Sequence, residues 1–251
     1  MEKKIELSVI IPAYNEAGRI TETLQQTWRY LSNQPYFSEI IVVDDGCTDT
    51  TIDVVQGHFY QIPNLRLIRH RYNQGKGQAV KTGVNSARGR WILFMDADLA
   101  TPISELDKLW SQKNNYDVLI GSRHLQPKSI KTPQPWYRFL FGRAGNFLIR
   151  SLLLANISDT QCGFKLFSHK AAHDLFNRLT INGFGFDIEI LVLAQILEYQ
   201  IAEISVDWYD KPHGSVNIWR DGWRVFSEVL RIKYRISQSL WNKSGYTQKI
   251  F

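Results

Sequence analysis

Three short acidic or polar clusters stand directly after apolar runs in the first half of the chain, at Pro12–Glu16, Asp44–Asp49 and Asp96–Asp98. Apolar runs that alternate with helical patterns predict the strands of a parallel sheet. Because the carboxyl ends of parallel strands lie along one edge of the sheet, we expect the three clusters to meet there. Crowded carboxylates repel one another and raise each other's pKa, and a divalent cation relieves both effects.

Asp96 and Asp98 are the candidate metal ligands. Residues two positions apart in an extended segment point to the same side, so the two carboxylates can bind one cation. Mg²⁺ and Mn²⁺ favour such partial protein ligation, with phosphate oxygens completing the coordination. The alternative is that Asp98 caps the helix that follows, with Pro102 near its first turn. The three clusters together favour the metal site.

Strand and helix signals alternate over the first part of the chain. Apolar runs predict strands at 7–12, 40–43, 65–68, 91–95 and 118–120, and helical spacing predicts helices at 19–31, 48–59, 77–87 and 104–110. Such alternation predicts an α/β fold with a mainly parallel sheet and helices on both faces. The later part is predicted to contain a loop at 126–135, amphipathic helices at 136–156 and 219–236, a strand or turn at 160–167, helices at 171–179 and 186–199, and a strand at 201–208.

Bulk composition narrows the class of partner. The formal net charge of +6 favours an anionic partner. There is no run of five or more like charges, so charge alone does not indicate a nucleic-acid binder. Two cysteines, Cys47 and Cys162, cannot form a disulfide framework. We find neither a signal peptide nor a stretch of 18 apolar residues, and expect no transmembrane helix.

A glycine-rich stretch at 73–83 invites comparison with phosphate-binding loops. It does not match the Walker pattern, because Val80 stands where glycine should precede Lys81 and Thr82. It fails the dinucleotide-binding glycine pattern at the same position. The glycines still permit close approach of a ligand to the backbone, and Lys76 can meet a diphosphate.

The clusters together resemble the inverting family-2 glycosyltransferases of the GT-A fold. The segments that carry this resemblance are Pro12–Glu16, Asp44–Thr51, Asn73–Gly77 and Asp96–Asp98. Later segments resemble the polyprenyl-phosphate sugar transferases, at Gly121–Arg123, Asp159–Phe167 and Phe186–Ile190. Among these, Asp159–Phe167 and Ile201–Trp208 are most similar to dolichyl-phosphate β-glucosyltransferases.

This resemblance implies transfer of a sugar to a polyprenyl or dolichyl phosphate, with inversion of the anomeric carbon. Glucose from UDP-glucose is the expected donor. The alternatives are mannose or GlcNAc donors, or a soluble polysaccharide acceptor. It implies a divalent cation, Mg²⁺ or Mn²⁺, as cofactor. It also implies one domain over residues 1–251, with a nucleotide-sugar-binding half at 1–122 and an acceptor half at 123–240.

The resemblance also assigns roles to single residues. The nucleotide-sugar site would comprise Pro12, Tyr14, Glu16, Asp44, Asp45, Lys76 and Asp96, with the metal at Asp96 and Asp98. Arg123 and Arg138 would hold the acceptor phosphate, and Asp159 would lie near the reacting centre as a positioning group or base. The alternative for Asp159 is a structural carboxylate paired with Arg or Lys.

Two departures from the family pattern concern ligand contacts. Ala100 stands where some mannosyl relatives have a glutamine that binds the metal. Gly214–Asn217 lacks the lysine of a late loop, for which Lys211 or His213 are candidate replacements.

Aromatic and basic residues share the predicted helices at 136–156 and 219–236. This combination is typical of a helix that lies on an anionic membrane surface. We therefore expect a cytoplasmic protein that associates peripherally with the cytoplasmic face of a membrane. The alternative is that the apolar faces are ordinary core or dimer contacts. A nucleic-acid partner is not expected, because the basic and aromatic residues do not interleave on a sheet face.

Overall fold

The structure is a computed structural model that describes residues 4–132, 149–154, 156–211 and 218–242. Its strands are β1 (Leu7–Ala13), β2 (Ser38–Asp44), β3 (Leu65–Arg69), β4 (Trp91–Met95), β5 (Val118–Ser122), β6 (Ile130–Thr132), β7 (Phe164–Ser168), β8 (Ile201–Ser205) and β9 (Trp208–Tyr209). Seven of them form one sheet in the order β3-β2-β1-β4-β7-β5-β8, and β6 pairs with β9 in a separate two-stranded sheet.

The helices are α1 (Ile20–Ser32), α2 (Thr51–Gly57), α3 (Lys76–Ser86), α4 (Leu106–Trp110), α5 (His169–Arg178), α6 (Phe186–Ile196) and α7 (Ile218–Asn242). α1, α2 and α4 pack on one face of the large sheet. α3, α5, α6 and α7 pack on the other. The predicted α/β fold, with a mainly parallel sheet covered on both faces, is confirmed.

The central strands are buried on both sides, which explains their continuous apolar sequences. Val9, Ile10 and Ile11 of β1 have no solvent-exposed surface. Ile10 faces the helices on one side, and Val9 and Ile11 face those on the other. A strand covered on both faces needs apolar residues at every position, because successive side chains point to opposite faces.

One strand of the large sheet runs against the others. β7 is antiparallel to both β4 and β5, whereas the remaining strand pairs are parallel. Because of this direction, Phe164 at the start of β7 lies opposite Met95 at the end of β4. The segment before β7 therefore arrives at the same edge of the sheet as the three acidic clusters.

Three predicted elements differ from the structure. The helix predicted at 48–59 begins only at Thr51, because the Asp49 carboxylate accepts hydrogen bonds from the Ala17 and Thr51 amides and holds the preceding segment as a turn. The predicted strand 201–208 is interrupted after Ser205, since the Asp207 amide donates to Glu105 Oε2 at 2.9 Å. The predicted loop 126–135 contains β6.

The two predicted amphipathic helices have different outcomes. Of the first, predicted at 136–156, residues 136–148 and 155 lie outside the described residues, and 149–152 are helical. The second is α7, whose Val229 and Ile232 are buried in the core, with Val225 and Ile236 packed beside them. This part of its apolar face is therefore a core contact. Among the described residues, no helix is both long and apolar enough to cross a bilayer.

We predict that Gly83→Ala destabilises the protein, although alanine is the better helix former. A Cβ at Gly83 would lie 2.3 Å from Ile10 Cγ2 and 3.2 Å from Val43 Cγ2, so α3 would have to move away from β1. Overpacking of this kind costs about 1–3 kcal/mol of unfolding free energy. The measurement is the midpoint of urea unfolding at unchanged slope. Gly57→Ala is the control, because nothing lies within 4 Å of its Cβ position. A Gly83→Ala midpoint equal to that of the wild type would contradict the packing argument.

Candidate active site

An ion pair between Lys76 and Asp96 lies at the carboxyl edge of the large sheet. Lys76 begins α3 and Asp96 follows β4, and Lys76 Nζ is 2.7 Å from Asp96 Oδ1. Gly75 adopts φ +100°, and the Gly77 amide donates to Asn182 O at 2.7 Å. These backbone contacts fix the start of the helix and orient the Lys76 side chain towards Asp96. The carboxylates predicted for the cation and the lysine predicted for the diphosphate thus face each other.

Asp98 lies beside Asp96, but the segment between them is a turn and not the extended chain expected from the sequence. Leu99 has φ +53°, and Asp98 Oδ1 accepts a hydrogen bond from the Ala100 amide at 2.9 Å. Burial, together with the neighbouring Asp96 carboxylate, raises the pKa of Asp98, and Lys76 only partly opposes this. The turn therefore brings two like charges together at a partly desolvated position.

Glu16 adds a third carboxylate near the same place. Burial raises its pKa, Arg19 lowers it, and the charges of Asp98 and Asp96 raise it further. Arg19 Nε donates to Glu16 Oε2 at 2.7 Å, and the Glu16 amide donates to Thr51 Oγ1 at 2.8 Å. The loop after β1 thus holds Glu16 facing the other two carboxylates, with Arg19 as its counter-ion.

The donor set fits a hard divalent cation that shares its ligands with a bound diphosphate. Within the described ranges, no group of three or more His, Cys, Asp or Glu side chains is arranged to hold a metal ion by itself. Asp96 and Asp98 supply oxygens from two adjacent carboxylates, and Mg²⁺ and Mn²⁺ typically take one or two carboxylates and complete their coordination with phosphate and water. A cation there would also reduce the repulsion that raises the pKa of Asp98.

Asp44 and Asp45 lie at the same edge, at and just after the end of β2. Asp45 is buried and accepts hydrogen bonds from His70 Nδ1 at 2.8 Å, the Gln74 amide at 2.9 Å and the Gly75 amide at 2.8 Å. Asp44 Oδ1 accepts from the Cys47 amide at 2.7 Å. Both carboxylates therefore shape the loops around the site. Their contact with uracil or ribose stays a prediction.

The remaining predicted nucleotide residues, Pro12 and Tyr14, lie at the end of β1. Pro12 is opposite Val43 of β2, and the next register position pairs Ala13 with Asp44. Tyr14 is 42% exposed. An exposed aromatic ring beside a carboxylate-lined edge is available to a planar ligand, and the predicted role of both residues in the nucleotide pocket stays a prediction.

Arg123 and Asp159 form a bidentate ion pair in the neighbourhood of Asp96. Arg123 Nε is 2.7 Å from Asp159 Oδ2 and Nη2 is 2.8 Å from Oδ1, and the Arg123 amide also donates to Oδ2 at 2.9 Å. Asp159 is only 2% exposed. Burial alone would raise its pKa, but the Arg123 guanidinium lowers it to about 2. This matches the alternative of a paired structural carboxylate, and a group this acidic is a poor proton acceptor at neutral pH.

A further carboxylate and an aromatic ring support this pair. The Asp159 amide donates to Glu203 Oε1 at 2.7 Å, and the Trp208 ring lies 5.5 Å from the Arg123 guanidinium carbon. Arg138 and His213, the other residues predicted for this side, lie outside the described residues. The predicted joint grip of Arg123 and Arg138 on a phosphate therefore stays a prediction.

Sequence reasoning did not single out several residues that complete the site. A Cβ on Gly163 would lie 1.9 Å from Asp96 Oδ2, so only glycine fits against this carboxylate. Lys165 and Asp187 form a buried ion pair behind Lys76. Gly163, Lys165 and Asp187 all belong to segments that carry the family resemblance. No spacing rule, however, links a residue on β7 to a residue on α6. Arg19 had a signal, since it lies three positions after Glu16.

Comparison with known proteins agrees with this geometry. Residues 8–176 match the model of glycosyl transferase family 2. The chain is 33% identical over 250 residues to a dolichyl-phosphate β-glucosyltransferase of Dictyostelium discoideum, covering 94% of this chain and 76% of the relative. It is 34% identical over 251 residues to the dolichyl-phosphate β-glucosyltransferase of Homo sapiens, covering 94% of this chain and 77% of the relative.

Solved structures share the fold at low sequence identity. One is glucosyl-3-phosphoglycerate synthase from Mycobacterium tuberculosis in complex with Mn²⁺, UDP-glucose and phosphoglyceric acid, with a TM-score of 0.66 and 17% identity over 91% of this chain and 80% of that one. Another is mannosyl-3-phosphoglycerate synthase from Rubrobacter xylanophilus, with a TM-score of 0.68 and 17% identity over 98% of this chain and 77% of that one.

These matches confirm the GT-A fold and the enzyme class predicted from the sequence. The family model spans the acidic strand ends, the Lys76–Asp96 ion pair and the Arg123–Asp159 ion pair. The protein is therefore a glycosyltransferase and belongs to glycosyl transferase family 2.

Proposed function

We propose that the protein transfers glucose from UDP-glucose to a polyprenyl phosphate of the dolichyl type, by a single displacement that inverts the anomeric carbon. The proposal rests on the charged side chains that lie together at one edge of the sheet. Lys76 is ion-paired with Asp96, and a partly exposed arginine, Arg123, is ion-paired with Asp159 nearby. The identity of 33% to a dolichyl-phosphate β-glucosyltransferase supports this choice of sugar and acceptor.

The donor diphosphate is proposed to bind between Lys76 and the carboxylate pair Asp96 and Asp98. Asp96 and Asp98 would hold the cofactor, Mg²⁺ or Mn²⁺, which would supply positive charge to the departing diphosphate. Lys76 Nζ, now 2.7 Å from Asp96 Oδ1, is the protein cation proposed for the same diphosphate. Pro12, Tyr14, Glu16, Asp44 and Asp45 are proposed to surround the nucleoside.

The acceptor phosphate is proposed to bind at Arg123 and Arg138. A planar guanidinium suits a phosphate dianion because it donates two parallel hydrogen bonds. Arg123 Nε and Nη2 donate to Asp159, which fixes the orientation of the guanidinium plane. Asp159 is therefore a positioning residue in this proposal.

The chemistry needs no strong base on the protein. The second pKa of a phosphate monoester is about 6, so the attacking oxygen is already largely ionised at neutral pH. Asp159, with a pKa of about 2, is too acidic to accept a proton efficiently there. Arg123 orients the acceptor oxygen, and Lys76 and the carboxylate pair orient the leaving diphosphate. An α-linked donor then gives a β-linked product.

The exposed side of α7 is the proposed contact with the cytoplasmic face of a membrane. Arg231 and Lys233 are exposed there, beside Leu230, which is 46% exposed, and Tyr234, which is 64% exposed. Basic residues among partly exposed apolar ones favour an anionic leaflet. A peripheral position of this kind brings the site to a lipid-borne phosphate.

We predict that Asp98→Ala lowers kcat/KM by at least about 100-fold at saturating Mn²⁺, because a metal ligand and a leaving-group contact are lost together. The assay is transfer of radiolabelled glucose from UDP-glucose to a short polyprenyl phosphate, with GDP-mannose and UDP-GlcNAc as competing donors. Asp53→Ala, an exposed carboxylate on α2, is the control and should keep wild-type turnover. Near-normal turnover of Asp98→Ala would remove this residue from the metal site. Preference for another donor would replace the proposed sugar.

We predict that Asp159→Asn lowers kcat/KM for the acceptor by about 10–100-fold and leaves the shape of its pH profile between pH 5 and pH 8 unchanged. Asp159 has a pKa of about 2 when folded, below its ordinary value of 3.8. Its stabilising contribution is therefore present above pH 3.8 and is lost only as the pH falls towards 2. The loss of activity on the acidic limb of the profile should come from protonation of the acceptor phosphate. The variant should therefore show the same acidic limb.

The control for Asp159→Asn is Asp174→Asn, which breaks an Arg–Asp ion pair on α5 with an Arg178 Nη2 to Oδ1 distance of 2.9 Å. Disappearance of the acidic limb in Asp159→Asn alone would instead make this residue the general base.

We predict that Arg231→Glu weakens binding to vesicles that contain anionic lipid by about 30-fold, since one charge reversal removes about 2 kcal/mol of electrostatic attraction. Flotation at low salt measures the effect. Arg29→Glu, an exposed arginine on α1 across the sheet, is the matched control. Equal binding by both variants would exclude the exposed side of α7 as the contact.

A further inference from the structure

Lys165 of β7 and Asp187 of α6 form an ion pair that is almost completely buried. Their side chains are 1% and 4% exposed. Lys165 Nζ also donates to the carbonyl oxygen of Cys162 at 2.7 Å. Buried ion pairs commonly contribute less to folding than apolar side chains of the same volume, because both charges lose their hydration. Stability alone therefore gives no reason for charges at these two positions.

This pair lies directly behind the proposed diphosphate site. The ammonium of Lys76 is 5.2 Å from the centre of the Phe94 ring, and the ammonium of Lys165 is 5.9 Å from the same ring. Burial raises the pKa of Asp187, and the charges of Lys165 and then Lys76 lower it. The Asp187 carboxylate is thus close to both ammonium groups.

Lys76 consequently lies near carboxylates with different surroundings. Burial lowers its pKa, but the charges of Asp96 and then Asp187 more than offset this, and the pKa is raised. Asp96 is 34% exposed and belongs to the proposed metal site, whereas Asp187 is buried and tied to Lys165. Because Asp187 does not belong to that site, its charge would still act on Lys76 with a cation at Asp96.

The backbone that carries Asp187 also holds the start of α3. The Gly77 amide donates to Asn182 O at 2.7 Å, and the Cβ position of Gly77 is 2.6 Å from Phe186 Cβ. The segment from Asn182 to Asp187 therefore contacts the backbone next to Lys76, and it also carries a carboxylate whose charge acts on the Lys76 ammonium. A change at Asp187 should be transmitted to the position of the ammonium.

We propose that Asp187, held by Lys165, is a positioning residue that keeps the Lys76 ammonium at the donor diphosphate while Asp96 is bound to the cation. The inference rests on the proposed function, because it assigns the diphosphate to Lys76. Asp187 does not touch the substrate and acts through Lys76. The role differs from that of a general base, since the Asp187 carboxylate is enclosed by Lys165 and by the core.

The test measures the dissociation constant of UDP by calorimetry, with and without Mn²⁺, together with KM and kcat for UDP-glucose. We expect Asp187→Asn to raise the dissociation constant of UDP and the KM for UDP-glucose by about 10-fold, with a smaller change in kcat. This size corresponds to the loss of one moderate charge interaction. The thermal midpoint of each variant is recorded alongside.

A second variant separates positioning from folding. Lys165→Met/Asp187→Leu replaces the pair with apolar side chains, so its thermal midpoint should match or exceed that of the wild type. We expect it to bind UDP as weakly as Asp187→Asn does. In a Lys76→Met background the same double substitution should have less than a 2-fold further effect on UDP binding, because the two sites act through one ammonium.

The matched control is Glu39→Gln, which also converts a buried, ion-paired carboxylate into an amide. Glu39 pairs with Arg66 at 2.8 Å near the opposite end of β2, so its loss should lower stability and leave UDP binding unchanged. Wild-type UDP affinity in Lys165→Met/Asp187→Leu would overturn the proposal, as would a full 10-fold effect in the Lys76→Met background. Failure of the wild-type protein itself to bind UDP would instead overturn the proposed donor.

Discussion

The site depends on the repulsion among Glu16, Asp96 and Asp98 at one edge of the sheet. Burial together with the neighbouring carboxylates raises the pKa of Glu16 and of Asp98. Glu16 and Asp96 each have a cation beside them, Arg19 for Glu16 and Lys76 for Asp96. This balance leaves residual negative charge where a divalent cation can enter, and the loops after β1, β2 and β4 are arranged to maintain it.

The proposed donor side and the proposed acceptor side of the site achieve rigidity in different ways. On the donor side, backbone contacts and the buried Asp45 carboxylate fix the start of α3. The backbone position of Lys76 is therefore fixed as well. On the acceptor side, a bidentate ion pair with Asp159 fixes the plane of the Arg123 guanidinium. A single-displacement transferase needs such preorganisation, because its rate depends on the alignment of nucleophile and leaving group more than on a strong base.

Local patterns were sufficient to predict the strand ends and the carboxylates, because parallel strands place their carboxyl ends together whatever the details of the loops. They were insufficient for Gly163, Lys165 and Asp187, whose roles arise from the antiparallel β7 and from packing against α6. The strand predicted at 201–208 was too long for a similar reason. The Asp207 amide donates a hydrogen bond to the carboxylate of Glu105, which is distant in sequence, and the strand is interrupted there. Contacts between elements that are distant along the chain leave no periodic pattern in the amino-acid sequence.

The position of β7 has a consequence for recombination between members of the family. β5 is hydrogen-bonded to β7 on one side and to β8 on the other, and both of these strands come later in the chain. A chimaera joined after residue 122 would therefore take β5 from one parent and both of its neighbours from the other. A junction ahead of Val118 keeps these three strands from a single parent, so the hydrogen-bonded order of the sheet is a better guide to exchangeable modules than the order of the motifs.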